Sequence, residues 1–185
     1  MKKFLLSVLA ACLLALAFSV VPAAAADGNV QVYLQLDGIS GESINKRYDK
    51  WIGLTSVSYQ MSGDSKSSGS GSGSGSAGKI NFDSFAFTKN FDSSSIPLMM
   101  SEFKGTHISK GKIAFTRPSG KGQEVEFLTL EFDDIVVSSY RFDDTEESIE
   151  LKFGKIKWTY WQFDAKGNPL KPIQGGWDLA QNKPI

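Results

Sequence analysis

Apolar side chains recur at every second position over most of the chain. Val30, Val32, Leu34 and Leu36 alternate with Gln31, Tyr33 and Gln35, the period of a strand with one face on a core. Asp37-Gly38 ends that run as a turn. Residues 51–61 read as a second strand, with Ile52, Leu54, Val57 and Tyr59 apolar, and a phase slip near Ser56 predicts a bulge or bend. Ile80, Phe82, Phe85 and Phe87 mark a third strand. Alternation returns over residues 112–117, 125–140 and 149–160 and in a last short strand around Trp177, separated by Gly- and Pro-bearing or acidic turns.

Two stretches break the two-residue period. Ile96, Met99, Met100 and Phe103 fall at helical spacing and predict a short helix burying that stripe. Asp92-Ser93-Ser94-Ser95 offers capping side chains, Pro97 suits a first turn and Gly105 can close the helix. Residues 62–78 are almost entirely Ser and Gly. They supply no side chain able to fill a core, and the composition predicts a long hairpin loop without intrinsic shape. A division into two domains there is disfavoured, because the segment before it is too short to build a core. Many strands, one helix and frequent turns predict a mainly β fold: a small barrel of two packed antiparallel sheets with one short α-helix on its side.

The N-terminus belongs to another category. Lys2 and Lys3 precede an apolar run over residues 4–21, Pro22 breaks it, and Ala23 to Ala26 are small. That is the layout of a Sec-type signal peptide over residues 1–26, leaving one domain over 27–185. A retained anchor is the alternative, since the run is near the length that spans a bilayer. Leu9-Ala10-Ala11-Cys12 imitates a lipoprotein box but would leave a very short signal. The whole chain has 20 basic and 20 acidic residues among 185, so no bulk field draws it to nucleic acid. Its single cysteine, Cys12, lies in the leader, which excludes a disulfide framework or a Cys-rich metal site within the chain.

Candidate chemistry is sparse. Gly73 to Gly78 matches G-x-G-x-x-G, and Gly78-Lys79 completes most of a P-loop. The segment after Lys79 has strand periodicity, whereas phosphate binding needs a helix N-terminus, and Ile80 stands where Ser or Thr should hold magnesium. His107 is the only histidine, so a Ser-His-Asp triad would have to use it; a histidine serving local backbone groups is the simpler reading. Ser43 and Lys46 fit S-x-x-K, a pattern too loose to support an acyl-enzyme alone. Asp133 and Asp134 are adjacent on a strand and should face opposite sides, and residues 143–147 look like a solvated acidic turn, which leaves little for a carboxylate hydrolase. Trp51, Trp158, Trp161 and Trp177 could stack on a glycan or partner as a monomeric exported module, but core packing explains them without a ligand. No cofactor and no metal are predicted.

An ordered set of short segments is more specific. Gly41-Glu42-Ser43, a Gly-rich loop ending Gly78-Lys79, Phe87-Thr88-Lys89, Asp92-Ser93 with Pro97-Leu98-Met99-Met100, Gly105-Thr106-His107, Val137-Ser138-Ser139-Tyr140 and Gly176-Trp177-Asp178 occur in turn. In that order, over nearly all of residues 28–183, the chain resembles the Hcp (haemolysin-coregulated protein) family of bacterial type VI secretion. The resemblance implies a β-barrel with a helix packed on one side, no enzymatic activity, and self-assembly into hexameric rings stacked as a tube. It implies effector cargo and spike or sheath proteins as further partners. Ser62, Gly63, Asp64, Ser65, Lys66, Gly78 and Lys79 then belong to the loop that meets the neighbouring ring. Gly41, Glu42, Ser43, Thr88, Lys89, His107, Ser138, Ser139 and Trp177 stand at family-motif positions. Deleting residues 65–76 is expected to leave rings intact and impair stacking. The leader departs from the family pattern, because tube subunits polymerise in the cytoplasm. It implies an exported protein, periplasmic or extracellular, that meets the membrane only in transit.

Overall fold

The computed structural model describes residues 30–63, 80–119 and 123–185. Its elements are β1 (Gln31–Leu36), β2 (Ile52–Leu54), β3 (Ser56–Gly63), β4 (Ile80–Asn90), α1 (Ser95–Lys104), β5 (His107–Pro118), β6 (Glu124–Asp143), β7 (Glu146–Tyr160), β8 (Ile173–Asp178) and β9 (Lys183–Pro184). All strand pairings are antiparallel. One continuous ladder runs β2-β1-β5-β6-β7-β4-β3, and β8 and β9 extend from β7.

The ends of that ladder explain its curvature. β2 and β3 occupy opposite ends of the path, yet only Thr55 separates them in the chain. One residue spans roughly 3.5 Å, so the sheet has to curl until its two ends meet. Thr55 N–H donates to Thr88 O at 2.9 Å, and the Thr55 and Thr88 hydroxyls lie 2.6 Å apart. Residues 51–61 are therefore two strands that change partner, and the phase slip expected near Ser56 is the bend at Thr55 between them. The expected mainly β, barrel-like architecture with one short helix is present.

The barrel interior is built by the alternating positions. Leu34, Ile52, Phe85, Phe87, Ile113, Leu130, Phe132, Ile135, Ile149 and Ile156 are buried in one cluster, each worth about 1.5–3 kcal/mol of hydrophobic stabilisation. Phe85–Phe132 and Phe132–Phe153 ring centroids lie 4.9 and 5.0 Å apart. Tyr33, placed by pattern on the polar face, is also buried. It stacks on Tyr48 at 4.5 Å, because the connection from β1 to β2 folds back over the outer face of β1 and β5.

The helix turns its pattern inside out. Ser95, Leu98 and Ser101 are its buried residues, whereas Ile96, Met100 and Phe103 are 56%, 40% and 76% exposed. Three of the four residues of the predicted buried stripe thus face solvent and Met99 is half-buried, while Leu98 plugs into the core cluster. Gly105 closes the helix at φ 58 and ψ 37, a left-handed conformation that favours glycine. At the other end Ser94 makes no side-chain cap; instead Asp92 Oδ1 accepts the Ser94 N–H at 2.9 Å and Ser95 Oγ accepts the Asp92 N–H at 2.9 Å.

Candidate functional site

The polar groups that gather most densely do so where the helix begins. Lys89 on β4 and Glu147 on β7 are register partners, and both side chains are fully buried. The Lys89 ammonium donates to the Glu147 carboxylate, to Ser95 Oγ at 2.9 Å and to the Asn90 carbonyl at 2.9 Å. Asp92 Oδ1 lies 2.8 Å from the same nitrogen. Ser95 Oγ donates to Glu147 Oε2 at 2.8 Å, and the Tyr140 hydroxyl donates to the other Glu147 oxygen. The ammonium and both carboxylate oxygens of the pair have partners within the chain, so it joins β4, β6, β7 and α1. Glu147 is thus the exception in the acidic turn: the sequence places it in solvent, and Lys89 draws it inside.

The first motif lies beside this joint. Gly41 is buried, and a Cβ there would come within 2.6 Å of both Ile52 Cα and Trp51 O, so only glycine allows the loop to approach β2. Gly41 N–H donates to Lys50 O at 2.8 Å and Ser43 N–H to Trp51 O at 3.0 Å. Glu42 Oε1 accepts the Ser93 N–H at 3.0 Å, tying the loop to the lead-in of the helix. Thr88 on β4 holds the Thr55 link and the start of β3, its hydroxyl also lying 2.8 Å from Ser56 Oγ. Glu42, Lys89, Asp92, Ser93 and Ser95 are therefore brought together around one end of the helix.

The other motif positions are apart from that cluster. His107 Nδ1 lies 2.6 Å from Asp134 Oδ1, with both side chains about two-thirds exposed. Its partner is a carboxylate rather than the backbone, and among the described residues no serine hydroxyl joins them. Asp134 has φ 56, which breaks the alternation so that Asp133 and Asp134 are both exposed, not on opposite faces as the strand period predicts. Ser138 Oγ donates to Glu150 O at 3.3 Å where the register shifts between Val137 and Ser139. Trp177 packs on the core with its Nε1 buried. Trp158 packs on the same core and Trp51 on the Tyr48 cluster, so the tryptophans form no single platform. Ser43 Oγ accepts from Asn45 N–H at 3.3 Å rather than from Lys46. Ser62 and Gly63 end β3; Asp64, Ser65, Lys66, Gly78 and Lys79 lie outside the described residues. Among the described residues no group of three His, Cys, Asp or Glu side chains could hold a metal.

Two tyrosines carry perturbed acidity. Burial pushes the Tyr48 phenol far above its ordinary value, and the Glu126 carboxylate, which accepts its hydrogen bond at 3.1 Å, pushes the same way. Burial also raises Tyr33. Both phenols stay protonated and act as donors within the fold.

The surface is where unused binding capacity lies. Besides the helix stripe, Tyr59 and Met61 on β3 and the edge-to-face pair Phe91–Phe142, with centroids at 5.7 Å, are exposed. Sequence periodicity missed the exposed helix stripe because it assigned Ile96, Met99, Met100 and Phe103 to the core and left out Leu98, the apolar helix residue that is fully buried. The signal that could have found it is the run of small polar residues Ser94, Ser95 and Ser101 flanking Leu98, which form a buried face of their own.

Comparison with known proteins places this geometry. Residues 33–160 match the family model described as "Type VI secretion system effector, Hcp". The chain is 31% identical over 160 residues to "Protein hcp1" of Pseudomonas aeruginosa, covering 83% of this chain and 97% of that protein. A solved type six secretion system protein superimposes with TM-score 0.75 at 23% identity, covering 85% of this chain and all of that one. Hcp1 from Salmonella typhimurium superimposes with TM-score 0.66 at 24% identity, covering 84% and 99% of the two chains. The match runs from Tyr33 on β1 to Tyr160 at the end of β7, through the barrel, the helix and the buried joint between them, and this chain belongs to the Hcp family of type VI secretion proteins.

Proposed function

We propose that this chain is a non-enzymatic tube subunit whose copies join head-to-tail into hexameric rings and whose rings stack around a lumen that carries effectors. The observation that supports this best is the extent of the family match, which covers the barrel from β1 to β7 and 97% of the curated relative. A head-to-tail contact closes into a ring when its rotation divides a full turn. The exposed apolar side chains of α1 and β3 supply surface for such contacts.

Residues 62–78 serve as the inter-ring loop in this proposal, and residues 1–26 direct export, with one barrel domain from residue 27 onward. Ordering a Gly-Ser loop against a neighbour costs about 1–2 kcal/mol per residue of backbone entropy. Stacking through it is therefore weak unless other surfaces add to it, and removal of residues 65–76 spares the ring. The test is mass measurement and negative-stain imaging of the chain beginning at Asp27. Ring-shaped particles of uniform mass are expected; a solitary species at high concentration overturns the proposal.

A further inference from the structure

β4 and β7 part company partway along their length. β4 pairs β7 only from Ala86 to Asn90, and β8 takes over the same edge of β7 from Lys155. Between those two pairings an apolar crevice of about 370 Å³ opens, lined by Ile80, Phe82, Leu151, Phe153, Leu179 and Ala180. Lys152 stands at its rim, exposed and in no ion pair among the described residues. The helix packs chiefly on β6 instead. Its outward stripe ends in Phe103, the most exposed of its apolar residues, with Glu102 beside it, also in no ion pair among the described residues.

We propose that the crevice between β4, β7 and β8 receives the Met100–Phe103 end of the helix from a second copy of this chain, with Glu102 of one copy facing Lys152 of the other. The occupant is set by complementarity carried on one polypeptide. Each copy presents an apolar knob with an acid beside it, and an apolar socket with a base at its rim. Knob and socket are built from different elements, so the contact is heterologous and leaves a free knob and a free socket at the ends of any open chain. Seating the knob removes apolar surface from water on both sides and supplies each charge with its opposite. This contact rests on the ring reading and specifies which surfaces make the ring.

The experiment uses Phe103→Glu, which spoils the knob, and Ala180→Trp, which fills the socket; both sites are exposed, and unchanged near-ultraviolet circular dichroism checks that each variant folds. The parent is expected at the mass of an assembled ring and each variant at the mass of a single copy. An equimolar mixture of the two variants is expected at twice that mass, because one intact knob and one intact socket remain between them. Reversing one charge, as Glu102→Lys or Lys152→Glu, weakens assembly, and the double reversal restores it. A parent that is solitary overturns the ring reading together with this contact. A parent ring that persists in Phe103→Glu, or a mixture that stays at single-copy mass, overturns the contact alone and assigns the helix stripe to another occupant.

Discussion

Replacing Lys89 by methionine removes the positive charge from a fully buried pair while keeping much of the side-chain volume. Glu147 then holds a carboxylate in the barrel interior with only the Ser95 and Tyr140 hydroxyls to solvate it. Breaking a buried ion pair from one side costs about 3–5 kcal/mol, a large part of the roughly 5–15 kcal/mol that holds a domain together. With a urea slope of about 2 kcal/mol/M, the midpoint should fall by about 2 M, read by tryptophan fluorescence. The double variant Lys89→Met, Glu147→Leu removes both charges. It leaves two hydroxyls short of an acceptor, at about 1 kcal/mol each, so it should be more stable than the single variant. A double variant less stable than Lys89→Met would show that the cost of losing the lysine is not the uncompensated carboxylate.

Gly41→Ala should lower stability by about 1–3 kcal/mol, because the new Cβ meets the β2 backbone at 2.6 Å; a urea midpoint equal to the parent's refutes it. Leu98→Ala should cost about 2–5 kcal/mol, and Phe103→Ala, measured at dilution, should stay within about 0.5 kcal/mol. The reverse order would mean that the helix buries its apolar stripe after all. A phenol whose pKa is raised in the folded state stabilises the fold fully below the unfolded value of 10.0, because the folded state keeps a proton that the unfolded chain releases above it. Stability should therefore fall as pH climbs beyond 10.0, and Tyr48→Phe should flatten that fall in urea titrations; an equally steep decline in the variant counts against it.

The barrel was legible because its inner positions alternate with outer ones, and a two-residue period needs no tertiary information to be read. Turn residues and the Gly105 terminus were legible for the same local reason. What the sequence withheld was everything that depends on which strands meet. Thr55 looks like an ordinary strand residue until β2 and β3 are seen to take partners at opposite ends of the ladder. Glu147 looks like one acid among several until Lys89 lies opposite it in register. Asp134 follows the strand pattern until its backbone turns to φ 56. The candidate site was legible only as family motifs, positions without reasons.

Those reasons turn out to be joints. Gly41 admits the loop to β2, Glu42 ties that loop to the helix lead-in, Thr88 pins the Thr55 link to β4, and Lys89 fastens the helix to β4 and β7. Lys89 and Glu147 are fully buried and partnered within the chain, whereas Glu42 is exposed and spends one carboxylate oxygen on the Ser93 N–H. Glu42 and Lys89 fix the position of the helix relative to the barrel. Lys89, Ser95 and Glu147 hold the helix in place, with Ile96, Met100 and Phe103 turned outward. Such a layout costs stability in the lone copy, since apolar surface is left in water, and it is recovered only when something covers the stripe. A subunit whose helix must present the same face at the same angle in every copy needs that rigidity, because a small error in each contact accumulates around a closed ring and would keep it from closing.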